Sequence, residues 1–379
     1  MIELSSEDNL RLNVLLANKP LAIRIDESRL RVYGLSEKGE LCIDLKATAR
    51  PDAYVRAVRE LISGHFLGSP GGYPTYLRRW TRMGQMRDES LAQLLLLGEP
   101  EAVVAAVCSP GLTDELARRA WWAMEDAENA RRMLANPAIA QGQMGPVLAA
   151  YLVDYLPFET EGEKIAESVR LVLQPGLIEA RRSLDLWRKG ARRPAYALGF
   201  LQACPDDLPE PVPPHVTSSN TRTRLTPLLI EANPWARALC RVYSSAGQTW
   251  LKTVSQVLAK STTQDLVVTT LRTVASYFAT LRPQGEADLS LADLVAEAHD
   301  AITSPPQVDL QSCLDAIPEL RDELIAMRFL SGLGYGVLRP VLRDTTASGS
   351  LLRRKLEPIL HPILHQLDLL RGKRDSSPA

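Results

Sequence analysis

Short helical segments separated by proline-containing breaks make up most of this sequence, and their alternation strongly constrains its fold. After residue 68, apolar residues recur at the i, i+3, i+4 spacing of amphipathic helices, and the alternation typical of strands nearly vanishes. Breaks at Ser109, Asn136 and Gln174 share one order: a polar residue, Pro, a small residue and a branched aliphatic. Because Pro ends one helix and fits the first turn of the next, this order predicts consecutive helices joined by short turns.

The breaks recur at irregular intervals of 27 and 38 residues. A degenerate array of HEAT-like helical hairpins fits this spacing, and a one-off helical bundle fits it equally well. We predict a mainly α protein in four parts. They are a small α+β unit over residues 1–66, irregular HEAT-like hairpins over 67–203, a Pro-rich linker over 204–222 and a C-terminal helical domain over 223–379. In the last domain the longest predicted helices cover residues 226–243, 265–281, 310–330 and 350–371.

The N-terminal unit is the part of the chain that predicts strands. Residues 22–26, 29–33 and 41–45 alternate at period two, and glycines at 34 and 39 suggest a hairpin turn between the last two. A helix is predicted before them over 6–17, and another opens at Pro51. This pattern predicts a short β-meander flanked by helices. Further on, residues 205–214 contain five prolines, so we expect an extended linker or a strap across a surface.

Charge and hydropathy limit the classes of partner. The formal net charge is −1, which argues against a general nucleic-acid coat, and the sequence shows no evident DNA-binding motif. Apolar runs are far shorter than the roughly 20 residues of a membrane span. The acidic start MIELSSEDNL lacks the basic beginning and apolar core of a signal peptide. We therefore expect a cytoplasmic protein without a membrane span.

The stretch GSPGGYPTYLRRWTRM, residues 68–83, combines a glycine-rich loop with arginines and aromatic rings. It lacks the Lys-Ser/Thr of a phosphate-binding loop and follows a helix, so nucleotide binding is not expected. Its rings and guanidinium groups suit stacking on bases or clamping of an anion. The alternative is that the rings belong to the core and the arginine stems cover them. Together with a second arginine–tryptophan group, the candidate binding residues are Tyr76, Arg78, Arg79, Trp80, Arg82, Arg118, Arg119 and Trp122.

Residues that carry out catalysis or hold metals are not evident in the sequence. His361 and His365 have the i, i+4 spacing of two metal ligands but no third ligand nearby, so no metal and no cofactor are expected. The five cysteines are scattered and form no CxxC pair. These observations favour a non-catalytic protein. A cysteine-dependent enzyme or sulfur carrier remains the alternative, with Cys108 or Cys204 beside proline-marked turns as the candidate thiol.

Several segments resemble the DsrS family, whose members are encoded beside the reverse-acting dissimilatory sulfite reductase of sulfur-oxidising bacteria. They are YPTYLRRWTRMGQMRDESLAQLLLLGEPEAVV (73–104), GLTDELARRAWWAM (111–124), VLQPGLIEARRSLDLWRKG (172–190) and LRLNVLLANKPLAIRIDESRLRVYGL (10–35). The similarity spans most of the chain. It implies a cytoplasmic, cofactor-free accessory protein of sulfur oxidation, with a role in regulation or maturation. We expect it to bind RNA or a protein of that machinery through its helical surface. The resemblance supplies no active-site residues.

Overall fold

The chain folds as a mainly α protein with a small N-terminal sheet, as the periodicity predicts. The computed structural model describes residues 3–68, 88–285, 287–303, 307–343 and 347–373. Two compact units are distinguished: Met1–Tyr155 with Gln174–Ile178, and Leu156–Leu173 with Glu179–Ala379. The four-part division drawn from the sequence stays a prediction.

The N-terminal sheet has three antiparallel strands in the order β1-β2-β3. They are β1 (Ala22–Asp26), β2 (Arg31–Ser36) and β3 (Gly39–Asp44). The predicted second and third strands are therefore shifted by about two residues. The turn lies at residues 37–38, where Ser36 pairs with Gly39. Gly34 belongs to β2 and not to the turn, since it pairs with Ile23 and Leu41. A β-carbon at this position would lie 3.2 Å from the Leu15 side chain.

Helices α1 (Ser6–Ala17) and α2 (Pro51–Leu67) pack against the sheet. Ser5 caps α1 by accepting a hydrogen bond from the Asp8 backbone N–H. The Asp8 carboxylate is fully buried and accepts hydrogen bonds from the Tyr54 hydroxyl at 2.5 Å and the Lys46 backbone N–H at 2.9 Å. The core of this region consists of Leu12, Leu15, Leu16, Ile23, Val32, Leu45, Tyr54, Val58 and Ile62.

Short helices complete the first unit. They are α3 (Asp88–Leu94), α4 (Pro100–Val107), α5 (Asp114–Ala123), α6 (Ala127–Leu134), α7 (Pro137–Ala140) and α8 (Met144–Tyr155). Helices close in sequence pack on one another, as in helical hairpins. The Ile23 backbone N–H donates to the Leu95 carbonyl at 2.9 Å, which joins β1 to the segment after α3.

Longer helices form the second unit. The first half contains α9 (Gly162–Val172), α10 (Ala180–Lys189), α11 (Pro194–Ala203), α12 (Ser218–Ile230), α13 (Pro234–Tyr243), α14 (Ser245–Lys260) and α15 (Gln264–Tyr277). The second half contains α16 (Leu291–Thr303), α17 (Val308–Ala316), α18 (Arg321–Ser331), α19 (Tyr335–Leu342) and α20 (Gly349–Leu370). Gly199 lets α11 approach α9 closely, since a β-carbon there would lie 2.6 Å from Val169 Cβ.

Three predicted helices are shorter than the periodicity suggests. The predicted helix 226–243 is two helices, because the residue before a proline avoids the helical conformation and Asn233 precedes Pro234. Likewise, the predicted helix 310–330 breaks around Pro318. The helix predicted over 265–281 ends at Tyr277, and a 3₁₀ turn follows it.

The proline-rich segment after α11 packs as a strap on the second unit. Val212 donates its backbone N–H to the Thr249 hydroxyl at 2.9 Å, and its carbonyl accepts a hydrogen bond from Ser245 at 2.5 Å. The His215 backbone N–H donates to the Tyr243 carbonyl at 2.9 Å, and the two rings stack. Two side chains of α14 and one backbone carbonyl of α13 thus provide hydrogen bonds that an extended, proline-rich backbone cannot make within itself.

Candidate functional site

The strongest sequence candidates fall partly outside the structure. Tyr76, Arg78, Arg79, Trp80 and Arg82 lie outside the described residues. Arg118, Arg119 and Trp122 lie on α5 in the first unit.

Arg118 and Arg119 share one carboxylate on their own helix. Arg118 donates two hydrogen bonds to Glu115, at 2.8 and 2.7 Å, and Arg119 donates one at 2.9 Å. The hydrogen bonds from Arg118, followed by those from Arg119 and both positive charges, outweigh the effect of burial and lower the pKa of Glu115 to about 2. Ligand binding by this pair stays a prediction, and an anion would compete with Glu115 for both guanidinium groups.

Trp122 joins α5 to the sheet. Its indole N–H donates to Glu40 at 2.9 Å. The Arg24 guanidinium stacks on Trp122 at 5.0 Å and on Tyr33 at 4.6 Å. Arg24 also donates to the Trp122 carbonyl and lies 3.5 Å from Glu40. The indole N–H, the backbone carbonyl and one ring face of Trp122 are therefore already engaged inside the first unit.

The two candidate cysteines have different environments. Burial, and then the charge of Asp207, raise the pKa of Cys204 to about 11, so this residue remains a thiol at neutral pH. Cys108 is exposed at the end of α4, and Arg132 places a guanidinium nitrogen 3.3 Å from its sulfur. Of the two, Cys108 has the environment expected of a reactive cysteine.

His361 and His365 lie on the exposed side of α20, opposite a buried stripe. In the sequence, the helical spacing of six apolar residues predicts one stripe on this helix, and all six are buried: Leu356, Ile359, Leu360, Ile363, Leu367 and Leu370. Within the described part of the chain, no three His, Cys, Asp or Glu side chains come together in a group that could hold a metal ion.

A groove of about 420 Å³ in the second unit gathers a different set of polar side chains. In the described chain its ionised lining residues are all arginines, namely Arg170 on α9, Arg241 on α13 and Arg272 on α15. The remaining residues that line this arginine groove are Leu201, Gln202, Pro205, Thr269, Thr273, Ser276 and Tyr277.

Arg241 is the rigidly held arginine of the groove. It makes a bidentate ion pair with Asp206, at 2.6 and 2.8 Å, and donates to the Tyr277 carbonyl at 3.3 Å. Its guanidinium stacks 3.8 Å from the centre of the Tyr277 ring, and Trp250 stacks on the same ring at 3.9 Å. Burial, only partly offset by the Arg241 charge, raises the pKa of Tyr277 well above its usual value.

Arg170 and Arg272 are much less constrained. Arg170 is 4.0 Å from Glu167, at the outer limit of an ion pair, and keeps 42% of its side chain exposed. Arg272 is exposed and has no ion pair or hydrogen bond within the described residues. These two guanidinium groups are consequently available to an anion that enters the groove.

Sequence reasoning missed this groove because its arginines are far apart in the chain. Only α15 carries a local signal, since Thr269, Thr273 and Ser276 recur at helical spacing beside Arg272. That polar stripe is also typical of an ordinary solvated helix face. Packing of α9, α11, α13 and α15 is what converts the stripe into one wall of a groove.

Comparisons with known proteins give no relative to set beside this site. No family model matches the sequence, and no curated protein or solved structure is significantly similar to it. Across the described residues, each helix is too short or too polar to cross a lipid bilayer.

Proposed function

We propose that this chain is a non-catalytic, cytoplasmic accessory protein of bacterial sulfur oxidation that regulates the pathway by binding a protein partner. In this proposal, an acidic segment of the partner enters the arginine groove of the second unit. The resemblance to the DsrS family motivates the pathway. The observation that carries the binding role is the pair of available guanidinium groups, Arg170 and Arg272, in a groove whose ionised lining residues are arginines.

The groove favours a protein over RNA. Binding of single-stranded RNA relies on aromatic faces on which bases stack. Tyr277 is the aromatic residue that lines the groove, and its ring is already stacked by Trp250 and Arg241. An acidic peptide needs guanidinium groups that are free to pair with its carboxylates, and Arg170 and Arg272 supply them.

The test replaces the two arginines of the groove that are available to a ligand, Arg170 and Arg272. We expect Arg170→Gln with Arg272→Gln to weaken binding of a glutamate-rich peptide by about tenfold or more, measured by fluorescence anisotropy at low salt. Arg181→Gln with Arg182→Gln is the matched control, because both residues are exposed on α10 outside the groove. In sulfur-grown cells, crosslinking should recover the same proteins with wild type and control and lose them with the groove variant. Equal losses in both variants, or recovery of RNA instead of protein, would contradict the proposal.

A second candidate function, that of a sulfur carrier, is favoured by the contact between Cys108 and Arg132. Here the Cys108 thiolate attacks the outer sulfur of a donor persulfide, takes up that sulfur, and releases the donor as a thiol. We expect incubation with glutathione persulfide to add one sulfur at Cys108 but not at Cys42, the other exposed cysteine, as read by mass spectrometry. Equal labelling of both cysteines, or of neither, argues against this function.

A further inference from the structure

One wall of the arginine groove carries a row of hydroxyl groups on α15. Thr269, Thr273 and Ser276 follow one another at the spacing of a single helix face, and all three line the groove. The Thr273 hydroxyl accepts a hydrogen bond from Gln202 at 3.1 Å and donates to the Thr269 carbonyl at 2.8 Å. Within the described residues, the hydroxyls of Thr269 and Ser276 make no hydrogen bond, so both remain available as donors.

Tyr277 adds a further hydroxyl to the residues that line the groove. The Tyr277 oxygen is inaccessible to solvent and has no hydrogen-bond partner in the described chain. Most buried polar atoms in proteins have a partner, so an orphan beside a groove points to a ligand or a water. Gln202, already bonded to Thr273, adds an amide to the same polar surface.

The remaining positive charge of the groove matches in magnitude the negative charge of a dianion. Asp206 neutralises Arg241 through its bidentate ion pair, which leaves the charges of Arg170 and Arg272. Glu167, at 4.0 Å from Arg170, compensates little of that charge. A phosphate monoester carries roughly −1.5 to −2 at neutral pH and has three strong acceptor oxygens. A carboxylate or a phosphodiester carries only one negative charge, and a carboxylate also has fewer acceptor oxygens.

We infer that the arginine groove binds a phosphate monoester carried by a protein, such as a phosphorylated serine side chain. Arg170 and Arg272 supply the two charges, and the hydroxyls of Thr269 and Ser276 donate to the remaining phosphate oxygens. Arg241, held by Asp206, supports this arrangement from the inner side of the groove. The inference rests on the proposed function, because it names the chemistry of the partner segment that the groove recognises.

The experiment uses the full-length chain and three fluorescein-labelled peptides that differ at one central residue: phosphoserine, glutamate or serine. We expect the phosphoserine peptide to bind at least about tenfold more tightly than the glutamate peptide. Arg170→Gln with Arg272→Gln should abolish that preference, and Arg181→Gln with Arg182→Gln should preserve it. Thermal unfolding of each variant checks that it is folded.

A second variant pair separates phosphate recognition from general charge attraction. Thr269→Val with Ser276→Ala removes two hydroxyls without changing charge. This pair should weaken the phosphoserine peptide several-fold and leave binding of a glutamate-rich peptide unchanged. If a glutamate-rich peptide binds in the groove and phosphoserine brings no preference, the inference is overturned while the proposed function stands.

Two further outcomes are decisive. If neither the phosphoserine peptide nor the glutamate-rich peptide binds, both the inference and the proposed function fail. If a single-stranded RNA oligonucleotide binds more tightly than the phosphoserine peptide and loses binding in the groove variant, the groove recognises diesters and the inference is wrong.

Discussion

Glu115 forms ion pairs with both Arg118 and Arg119, whereas Arg272 has no carboxylate partner within the described residues. The two situations give guanidinium groups very different capacities to bind a ligand. A ligand at Arg118 must displace an existing carboxylate, while a ligand at Arg272 replaces water. Exposed ion pairs contribute little to stability, so Glu115 affects the binding properties of the surface more than the stability of the fold.

Glu297 is a second carboxylate shared by two arginines, and here both arginines are buried. Arg282 donates to it at 2.6 Å, and Arg328 donates to its other oxygen. The two arginines are only 8% and 7% exposed. Burial tends to raise the pKa of Glu297, but the hydrogen bonds and charges of Arg282 and Arg328 outweigh it, so the pKa is lowered.

We predict that Glu297→Gln lowers the free energy of unfolding by about 2–3 kcal/mol at neutral pH. The change leaves two buried guanidinium groups without their counter-charge, and the partial exposure of Glu297 keeps the effect below the 3–5 kcal/mol typical of fully buried pairs. Because the folded pKa is lowered, the stabilisation is present above the unfolded pKa, about 4.3, and is lost as pH falls through the folded pKa.

The measurement is urea unfolding of wild type and Glu297→Gln between pH 7 and pH 3. The stability difference should shrink in the acidic part of this range. Asp300→Asn, an exposed change on the same helix, serves as the control and should have little effect. A difference that stays constant down to pH 3 contradicts the ion-pair explanation.

At the scale of elements, asparagine–proline pairs decide where helices restart. Asn233 caps α13 by accepting hydrogen bonds from the backbone N–H groups of Trp235 at 2.9 Å and Ala236 at 3.1 Å. Its amide also donates to the Asp309 carbonyl at 2.7 Å, which ties α13 to α17. Asn136, which is half-buried, caps α7 with a single hydrogen bond from the Ala138 N–H.

We predict that Asn233→Ala destabilises the protein by about 2 kcal/mol, while Asn136→Ala costs about 1 kcal/mol or less. Both variants lose a cap, worth about 1 kcal/mol. Asn233→Ala additionally removes the part-buried hydrogen bond to the Asp309 carbonyl, and such a bond contributes about 1 kcal/mol. Chemical unfolding of both variants measures the difference, and equal effects would show that the bond to Asp309 contributes nothing.

At the scale of the whole molecule, the chain passes between the two units more than once. Residues 174–178 belong to the first unit, although residues on both sides of them belong to the second. Gln174 donates to the Leu134 carbonyl at 3.0 Å, and Leu177 is only 8% exposed. Gly145 makes room for Leu177, because a β-carbon there would lie 3.0 Å from that side chain. A domain boundary placed by proline content alone does not show that residues 174–178 belong to the first unit.

The sequence by itself determined the mainly α class, the β-meander and the apolar stripe of α20. These features depend on residues within one or two turns of each other, so local periodicity suffices to predict them. The sequence also contains the prolines at which two predicted helices break, Pro234 and Pro318. Because the helical spacing of apolar residues continues across both positions, that spacing alone predicts one helix at each place.

Only the tertiary structure decided which arginines converge on one groove. Arg170, Arg241 and Arg272 come from three helices that are remote in sequence, and packing brings them together. Arg118 and Arg119, by contrast, pair with Glu115 at i, i+3 and i, i+4 spacing on their own helix, which is a local interaction. The physical reason is that helical periodicity is a local property, whereas the convergence of distant charges depends on which helices pack together.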